Sequence, residues 1–415
     1  MLLNTKSTLS EWLEYLQHLH TQPIDLGLER VRHVGQLLNL LTPASIVFTV
    51  AGTNGKGTTC RAIEIILLAS GYQVGVYNSP HLTHYSERIR ICGKEVTEEE
   101  LITSFSEIEN GRKNISLTYF EFGTLSALWL FRQAKLDIVI LEVGLGGRLD
   151  ATNIVDADIA IITSIALDHT TWLGSDRESI GREKAGIFRT GKPAVIGEPD
   201  TPNSVREIAQ YVGAQLYQSN RDWSYSATDD SWAFEDFHGK VQSIPLPQIP
   251  IDNAATAIAA LRISLIPVHD SIVFHALCQA TLPGRFQIVS DCPKVILDVA
   301  HNPHAAHYLS AQLIKIKKTA KIHAVVGMRQ DKDIANTLAY LVPQVDYWYC
   351  ASLTHPYGAS AARIMSYLNN AICFTSVARA WRHAVNKAHS QDIILVFGSF
   401  DTVSQVITAR LTANS

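Results

Sequence analysis

Six cysteines in 415 residues, at positions 60, 92, 278, 292, 350 and 373, form no C-x-x-C pair and no zinc-like spacing. They are too scattered for a disulfide framework and read as reduced thiols. An excess of one charge is also missing. The 35 Lys and Arg stand against 39 Asp and Glu, a net charge of −4, so the basic footprint of a nucleic-acid binder is absent. No uninterrupted apolar run approaches the ~20 residues that span a bilayer. The opening Met-Leu-Leu-Asn-Thr-Lys-Ser lacks the charged-then-apolar order of a secretory signal. Repeats, low-complexity tracts and charge runs are lacking too. What remains is a cytoplasmic protein of enzyme size, with neither membrane nor nucleic acid as partner. Its 47% hydrophobic and 18% charged residues are those of an ordinary globular chain, long enough for two or three domains.

Residues 51–59 read Ala-Gly-Thr-Asn-Gly-Lys-Gly-Thr-Thr. Before them, Ile46 to Val50 has the β-branched and aromatic make-up of a buried strand. After them, Ala62, Ile63, Ile66 and Leu67 recur at helical spacing, and Gly71 ends the pattern. Strand, glycine loop with a lysine, hydroxyl pair and helix is the layout of a phosphate-binding loop. Gly52, Gly55 and Gly57 let backbone N–H groups turn towards an anion, and the helix N-terminus adds its dipole. Lys56 can reach terminal phosphates, and Thr58 or Thr59 can face magnesium. The alternative is a glycine turn with a solvated lysine, against which the flanking strand and helix argue.

Two amphipathic helices open the chain, one with the stripe Leu9, Trp12, Leu13, Leu16 and Leu19, the other with Leu28, Val31, Val34, Leu37 and Leu38. Strands follow at Gln73–Tyr77, Asp137–Val143 and Asp158–Ser164. Helices start at Thr97, where Thr97 and Glu100 make a capping-box pattern, and at Tyr119. The alternation predicts a doubly wound, mostly parallel α/β sheet. Residues 217–250, with Trp223, Tyr225, Trp232, Phe234 and Phe237 among polar neighbours, break the rhythm and fit a small antiparallel excursion. Leu282-Pro283-Gly284-Arg285-Phe286 reads as a hinge. Beyond it, strands near Val295–Val299, His323–Gly327, Val345–Cys350, Ile372–Thr375 and Ile393–Phe397 predict a second, smaller Rossmann-like α/β domain. The domains are therefore expected at 1–284 and 285–415.

Ligands of open parallel sheets bind beyond the carboxyl ends of the strands. There the sequence offers Ser79, then Glu142, then His169. Serine and carboxylate oxygens suit magnesium beside substrate phosphates. An imidazole is a less usual ligand for that ion, and His169 could equally be a structural histidine. Lys184, within a helical pattern, reads by itself as a solvated surface lysine.

Taken together, these motifs resemble the ATP-dependent amide ligases of the Mur ligase family, which includes the muramyl-peptide ligases and the folylpolyglutamate synthases. Gly-Thr-Asn-Gly-Lys-Gly-Thr (52–58), Ser79-Pro80-His81-Leu82, the run from Glu142 to Asn153 and Asp298-Val299-Ala300-His301-Asn302-Pro303 point to the folate branch, and most closely to its bifunctional proteobacterial members. The similarity extends from about Ile24 to Phe400. It implies that Thr53, Asn54, Gly55, Lys56, Gly57 and Thr58 hold the phosphates of ATP, and that Ser79, Glu142 and His169 bind magnesium, two ions being expected. Asn253 would read the adenine edge, although it could be a plain helix-start residue. Arg285, Asp298 and His301 would close over the nucleotide. Ile24, Asp25, Leu26, Thr118, Tyr119, Phe120, Glu121, Leu149, Asp150 and Ala151 would form a pterin site, with core packing the alternative for Tyr119 and Phe120. Lys184 would carry a carbamate whose oxygens help bind the second ion.

The implied reaction adds L-glutamate to dihydropteroate and to reduced folates through an acyl phosphate, in a monomer. Lys56 and Lys184 would serve the chemistry, and His301 or a metal-held group would deprotonate the amine. A muramyl-peptide ligase should lack the pterin motifs. A P-loop kinase or GTPase would leave the second domain unexplained, and a non-catalytic nucleotide module would need no metal ligands.

Overall fold

The computed structural model describes residues 4–414, with side chains to 411. The first three residues of the amino-terminal segment considered above lie outside them. The chain forms two compact units. One comprises residues up to 81 and 85–281; the other comprises residues 82–84 and those from 282 onward.

The first unit is built on an eight-stranded sheet. Its strands are β1 (Ile46–Ala51), β2 (Val74–Tyr77), β3 (Ile89–Ile91), β4 (Lys94–Glu95), β5 (Ile138–Glu142), β6 (Ile159–Ile162), β7 (Pro193–Ile196) and β8 (Gln215–Gln218), in the order β4-β3-β2-β5-β1-β6-β7-β8. From β2 to β8 all pairs are parallel; β3 and β4 add an antiparallel edge that sequence reading missed. The helices are α1 (Leu9–His18), α2 (Glu29–Leu37), α3 (Lys56–Ala69), α4 (Glu98–Arg112), α5 (Tyr119–Ala134), α6 (Thr170–Leu173), α7 (Arg177–Ala185), α8 (Asn203–Val212), α9 (Ile251–Ile263) and α10 (Asp270–Cys278).

The strands alternate between two cores. In β5, Ile138 and Ile140 pack towards α3, α9 and α10, while Val139 and Leu141 pack towards α1, α2, α4 and α5. Each such side chain contributes about 1.5–3 kcal/mol by leaving water. That two-sided burial explains why the strand reads as one continuous apolar run. The Thr97–Glu100 capping box is present, with Glu100 N donating to Thr97 Oγ1 at 3.2 Å and Thr97 N donating to Glu100 Oε2 at 2.7 Å.

The excursion at 217–250 contains β9 (Trp223–Ala227), β10 (Ser231–Asp236) and β11 (Gly239–Pro245), a three-stranded antiparallel sheet. Trp223 and Phe234 stack on its inner face at 6.0 Å, whereas Phe237 is exposed. The second unit carries β12 (Gln287–Asp291), β13 (Lys294–Leu297), β14 (Ile322–Val326), β15 (Tyr347–Ala351), β16 (Ala371–Phe374) and β17 (Ile393–Phe397), in the order β12-β13-β17-β14-β15-β16. It is parallel except for β12, and apolar clusters cover both faces. Among the described residues no helix is long and apolar enough to cross a membrane.

Candidate active site

The phosphate loop leaves β1 at Ala51 and enters α3 at Lys56, so Lys56, Gly57 and Thr58 form the first turn of the helix. Gly55 caps that helix at φ +85°, a left-handed conformation that L side chains rarely adopt. A Cβ there would stand 2.3 Å from Asn253 Oδ1. Asn253, in the first turn of α9, therefore lies directly against the loop. The end of β6 clamps the loop from below. Thr163 Oγ1 and Ser164 Oγ donate to the Asn54 carbonyl at 2.6 and 3.0 Å, Thr53 N donates to Ser164 O at 2.8 Å, and Ala166 N donates to Thr53 Oγ1 at 3.0 Å. Lys56 Nζ donates to the Gly52 and Thr53 carbonyls at 3.0 and 3.4 Å. The ammonium thus folds back over the loop it belongs to.

At the carboxyl ends of β2 and β5, Asn78, Ser79 and Glu142 converge. Glu142 is buried, and its Oε2 accepts from Asn78 Nδ2 at 2.8 Å and from Ser79 N at 3.0 Å. Both donors fall on one oxygen, which leaves Oε1 to another partner. Asn78 cannot flip its amide, because its Oδ1 accepts from Arg90 Nη2 at 2.9 Å. Arg90 is anchored in turn by Glu64, fully buried in α3, through contacts of 2.7 and 2.9 Å. Of these four residues sequence reading named Glu142 alone and missed the three that hold it.

The donor set fits magnesium. Glu142 and the Ser79 hydroxyl are hard oxygens at one corner, and in the first turns of α3 the buried Thr59 hydroxyl has no hydrogen-bond partner among the described residues. No three His, Cys, Asp or Glu cluster as a metal cage among the described residues, so substrate oxygens would have to complete the shell. His169 is exposed, in a left-handed conformation (φ +51°) that opens the four-residue α6.

Lys184 corrects the reading of a solvated surface lysine. It is buried, 3% exposed, on the last turn of α7. Gly147 permits this: a Cβ there would meet the Glu183 and Lys184 carbonyl oxygens at 2.9 Å, so only glycine lets α7 approach the loop after β5. Burial lowers the Lys184 pKa to about 7, repulsion from Lys56 acts in the same direction, and Asp168 and Asp150 oppose it. Among the described residues no carboxylate forms an ion pair with this amine.

Thr118 and Glu121 form a capping box at the start of α5, and Glu121 Oε1 also takes Arg30 at 3.1 Å. Their visible work is to fix the turn that presents Tyr119 and Phe120. Phe120 packs on Tyr77 with ring centroids 5.8 Å apart. Asp25 pairs with Arg30 at 2.6 Å and His20 at 3.1 Å, beside a partly exposed Ile24 and Leu26. Asp150, buried between Leu149 and Ala151, accepts from Thr152 N, Thr152 Oγ1 and Leu145 N at 3.0, 2.7 and 2.9 Å. The Gly144 N–H also faces this carboxylate, so the loop after β5 and the start of the next turn hold it in place. Burial raises its pKa against these hydrogen bonds.

In the second unit, Arg285, Asp298 and His301 gather at the end of β13. The Arg285 guanidinium lies over the Phe400 ring at 5.0 Å. Asp298 accepts from Phe286 N at 2.8 Å and Ala300 N at 2.7 Å, and burial raises its pKa while Arg285 opposes. His301 Nδ1 lies 2.9 Å from the Val299 carbonyl, so that nitrogen carries the proton and Nε2 the lone pair of the neutral ring.

Comparison with known proteins matches residues 50–261 to the Mur ligase middle domain and residues 284–400 to the Mur ligase, glutamate ligase domain. The dihydrofolate synthase/folylpolyglutamate synthase of Escherichia coli K12 is 59% identical over 97% of this chain and 95% of its own. That of Haemophilus influenzae is 44% identical over 98% of each. Among solved structures, Escherichia coli FolC in complex with DHPP and ADP superposes with a TM-score of 0.98 at 57% identity, covering 100% of both chains. The bifunctional synthase of Yersinia pestis complexed with AMPPNP and Mn ion does so at 0.95 and 57%, covering 99% of this chain and 100% of that one. The chain belongs to the Mur ligase family, and within it to the dihydrofolate synthase/folylpolyglutamate synthases.

Proposed function

We propose that this chain is an ATP-dependent ligase that joins L-glutamate to dihydropteroate, giving dihydrofolate, and to reduced folates, giving polyglutamates. The observation that carries the reading is the glycine loop of residues 52–57 facing Asn253, on a chain alike over nearly its whole length to synthases of that name. A carboxylate is a poor electrophile, so the substrate's carboxylate first takes the γ-phosphoryl group of ATP. The glutamate amine then attacks the acyl carbon, and phosphate leaves.

In this reading the loop's N–H groups and Lys56 hold the phosphates and spread the charge of the transferring group. Asn253 and the cluster of Arg285 and Asp298 serve the nucleotide. Ser79, Glu142 and His169 would hold magnesium, which when bound neutralises phosphate charge. His301 Nε2 can accept the proton of the incoming amine. Ile24, Asp25, Leu26, Tyr119, Phe120, Leu149, Asp150 and Ala151 would surround the pterin, with Thr118 and Glu121 fixing the turn.

The buried Lys184 is the group we assign a carbamate: its neutral amine adds to carbon dioxide, a proton leaves, and the new carboxylate becomes an oxygen ligand. At a pKa of about 7, about half the amine is neutral at pH 7, against about one molecule in two thousand for an ordinary lysine. Two ions, a monomeric state and a cytoplasmic location complete the proposal. The test is ADP release from ATP, expected only when dihydropteroate and L-glutamate are both present. Equal release without glutamate would overturn it.

A further inference from the structure

Arg88 is the group this assignment leaves unexplained. It closes the short 3-10 turn before β3, and its side chain is buried, 8% exposed. A buried guanidinium ordinarily pairs with a carboxylate, because an uncompensated charge out of water is costly. Here no carboxylate pairs with it among the described residues. The groups that act on its charge are phenols, Tyr85, Tyr77 and Tyr119, all neutral at pH 7, and Tyr77 also takes a hydrogen bond from it. The guanidinium carbon lies over the Tyr85 and Tyr119 rings at 5.2 and 5.5 Å. Its Nε donates to His81 Nδ1 at 2.8 Å. Arginine stays charged, so His81 must offer a lone pair at Nδ1 and carry its proton on Nε2.

Position gives the cation a purpose. The backbone of Arg88 is paired with Asn78, whose N–H donates to the Arg88 carbonyl at 2.8 Å, beside Ser79 and Glu142. Its side chain lies among Tyr77 and Tyr119, the first packed on Phe120. Arg88 thus adjoins the aromatic residues assigned to the pterin through its side chain and the corner assigned to the metal and phosphates through its backbone. A substrate with a flat heterocycle on those aromatics and an aryl carboxylate at its other end would carry its anion towards that corner.

We propose that Arg88 is a substrate-binding residue that holds the aryl carboxylate of dihydropteroate, the carboxylate to be activated. The planar fork of the guanidinium matches a carboxylate's two oxygens and would orient it towards the γ-phosphate. The missing counter-charge is then supplied by the substrate. The assignment rests on the functional reading above.

The test measures binding of dihydropteroate and of its analogue with the carboxylate replaced by hydrogen. Wild type should bind the analogue roughly ten- to hundredfold more weakly, the scale of a hydrogen bond to a charged group. Arg88→Met should weaken dihydropteroate by that factor, leave the analogue unchanged and leave ATP affinity within about twofold. Arg88→Lys, which keeps charge without the fork, should fall between and serves if the methionine variant does not fold. Equal affinity of the two ligands for the wild type would overturn the proposal without any variant. So would a variant that weakens both ligands alike, the mark of a structural arginine. If the wild type bound the analogue but not dihydropteroate, the proposal would also fall; if it bound neither, the functional reading would fall with it.

Discussion

Replacing Lys184 by methionine isolates the contribution of one buried amine, because methionine keeps an apolar side chain of similar length but cannot titrate or react with carbon dioxide. In the folded protein burial disfavours the ammonium form, and the pKa stands at about 7. In the unfolded chain it lies near ~10.4. Between those values the unfolded state binds more protons, so stability rises with pH across that window. The gap of roughly three units corresponds to about 4–5 kcal/mol, present above the unfolded value and lost as pH falls towards 7. In carbon-dioxide-free buffer without magnesium, urea unfolding of the wild type should therefore show markedly higher stability at pH 9 than at pH 7. Lys184→Met should lose most of that slope and be the more stable protein at pH 7. Its ligase activity should nevertheless fall at least a hundredfold, and Lys184→Ala should regain part of its lost activity with millimolar short carboxylic acids. In wild type, 13C-bicarbonate and magnesium should produce a protein-bound carbamate resonance that the variants lack. A pH slope equal in wild type and methionine variant would refute the burial argument. A wild type fully active and carbamate-free with carbon dioxide present would refute the modification.

Three further outcomes follow from the first unit. Lys56→Ala and Glu142→Ala should each keep a wild-type circular dichroism spectrum and lose roughly a hundredfold or more in turnover at saturating ATP and magnesium, the scale of removing one charge-stabilising group; undiminished turnover in either would take that residue out of the site. Gly55→Ala places a Cβ 2.3 Å from Asn253 Oδ1 at φ +85°, so nucleotide affinity should fall at least tenfold and stability by about 1–2 kcal/mol, which calorimetry and thermal melts would read. Asn78→Asp puts a second carboxylate against Glu142 and removes the amide that Arg90 orients; titrated with Mn2+ and an ATP analogue, the variant should bind metal about ten- to hundredfold more weakly, and unaltered metal affinity would mean the amide does not position Glu142.

What could be read from the sequence was what neighbours along the chain determine. The phosphate loop is local: glycines, a lysine and hydroxyls between a strand and a helix occupy nine consecutive positions, and the backbone needs nothing distant to adopt that turn. The capping box at Thr97 is equally local, and the same Thr-x-x-Glu signature at Thr118 and Glu121 was there to be read. It would have suggested that Glu121 caps α5 before any role towards a ligand. The chain Glu64–Arg90–Asn78–Glu142 has no such signature. Its members are separated by 64 positions between Asn78 and Glu142 and 26 between Glu64 and Arg90, and they meet because β3, β2 and β5 lie side by side. Lys184 failed for a different reason. The sequence Arg-Glu-Ser-Ile-Gly-Arg-Glu-Lys-Ala of α7 is polar enough to suggest solvent, and its burial depends on Gly147, 37 residues earlier, admitting the helix to within reach of the loop after β5. Pattern assigns a face to a helix only through the periodicity of its own residues. A single lysine drawn under by a neighbouring glycine leaves no trace in that period, and three-dimensional contact alone distinguishes it from the arginines that flank it.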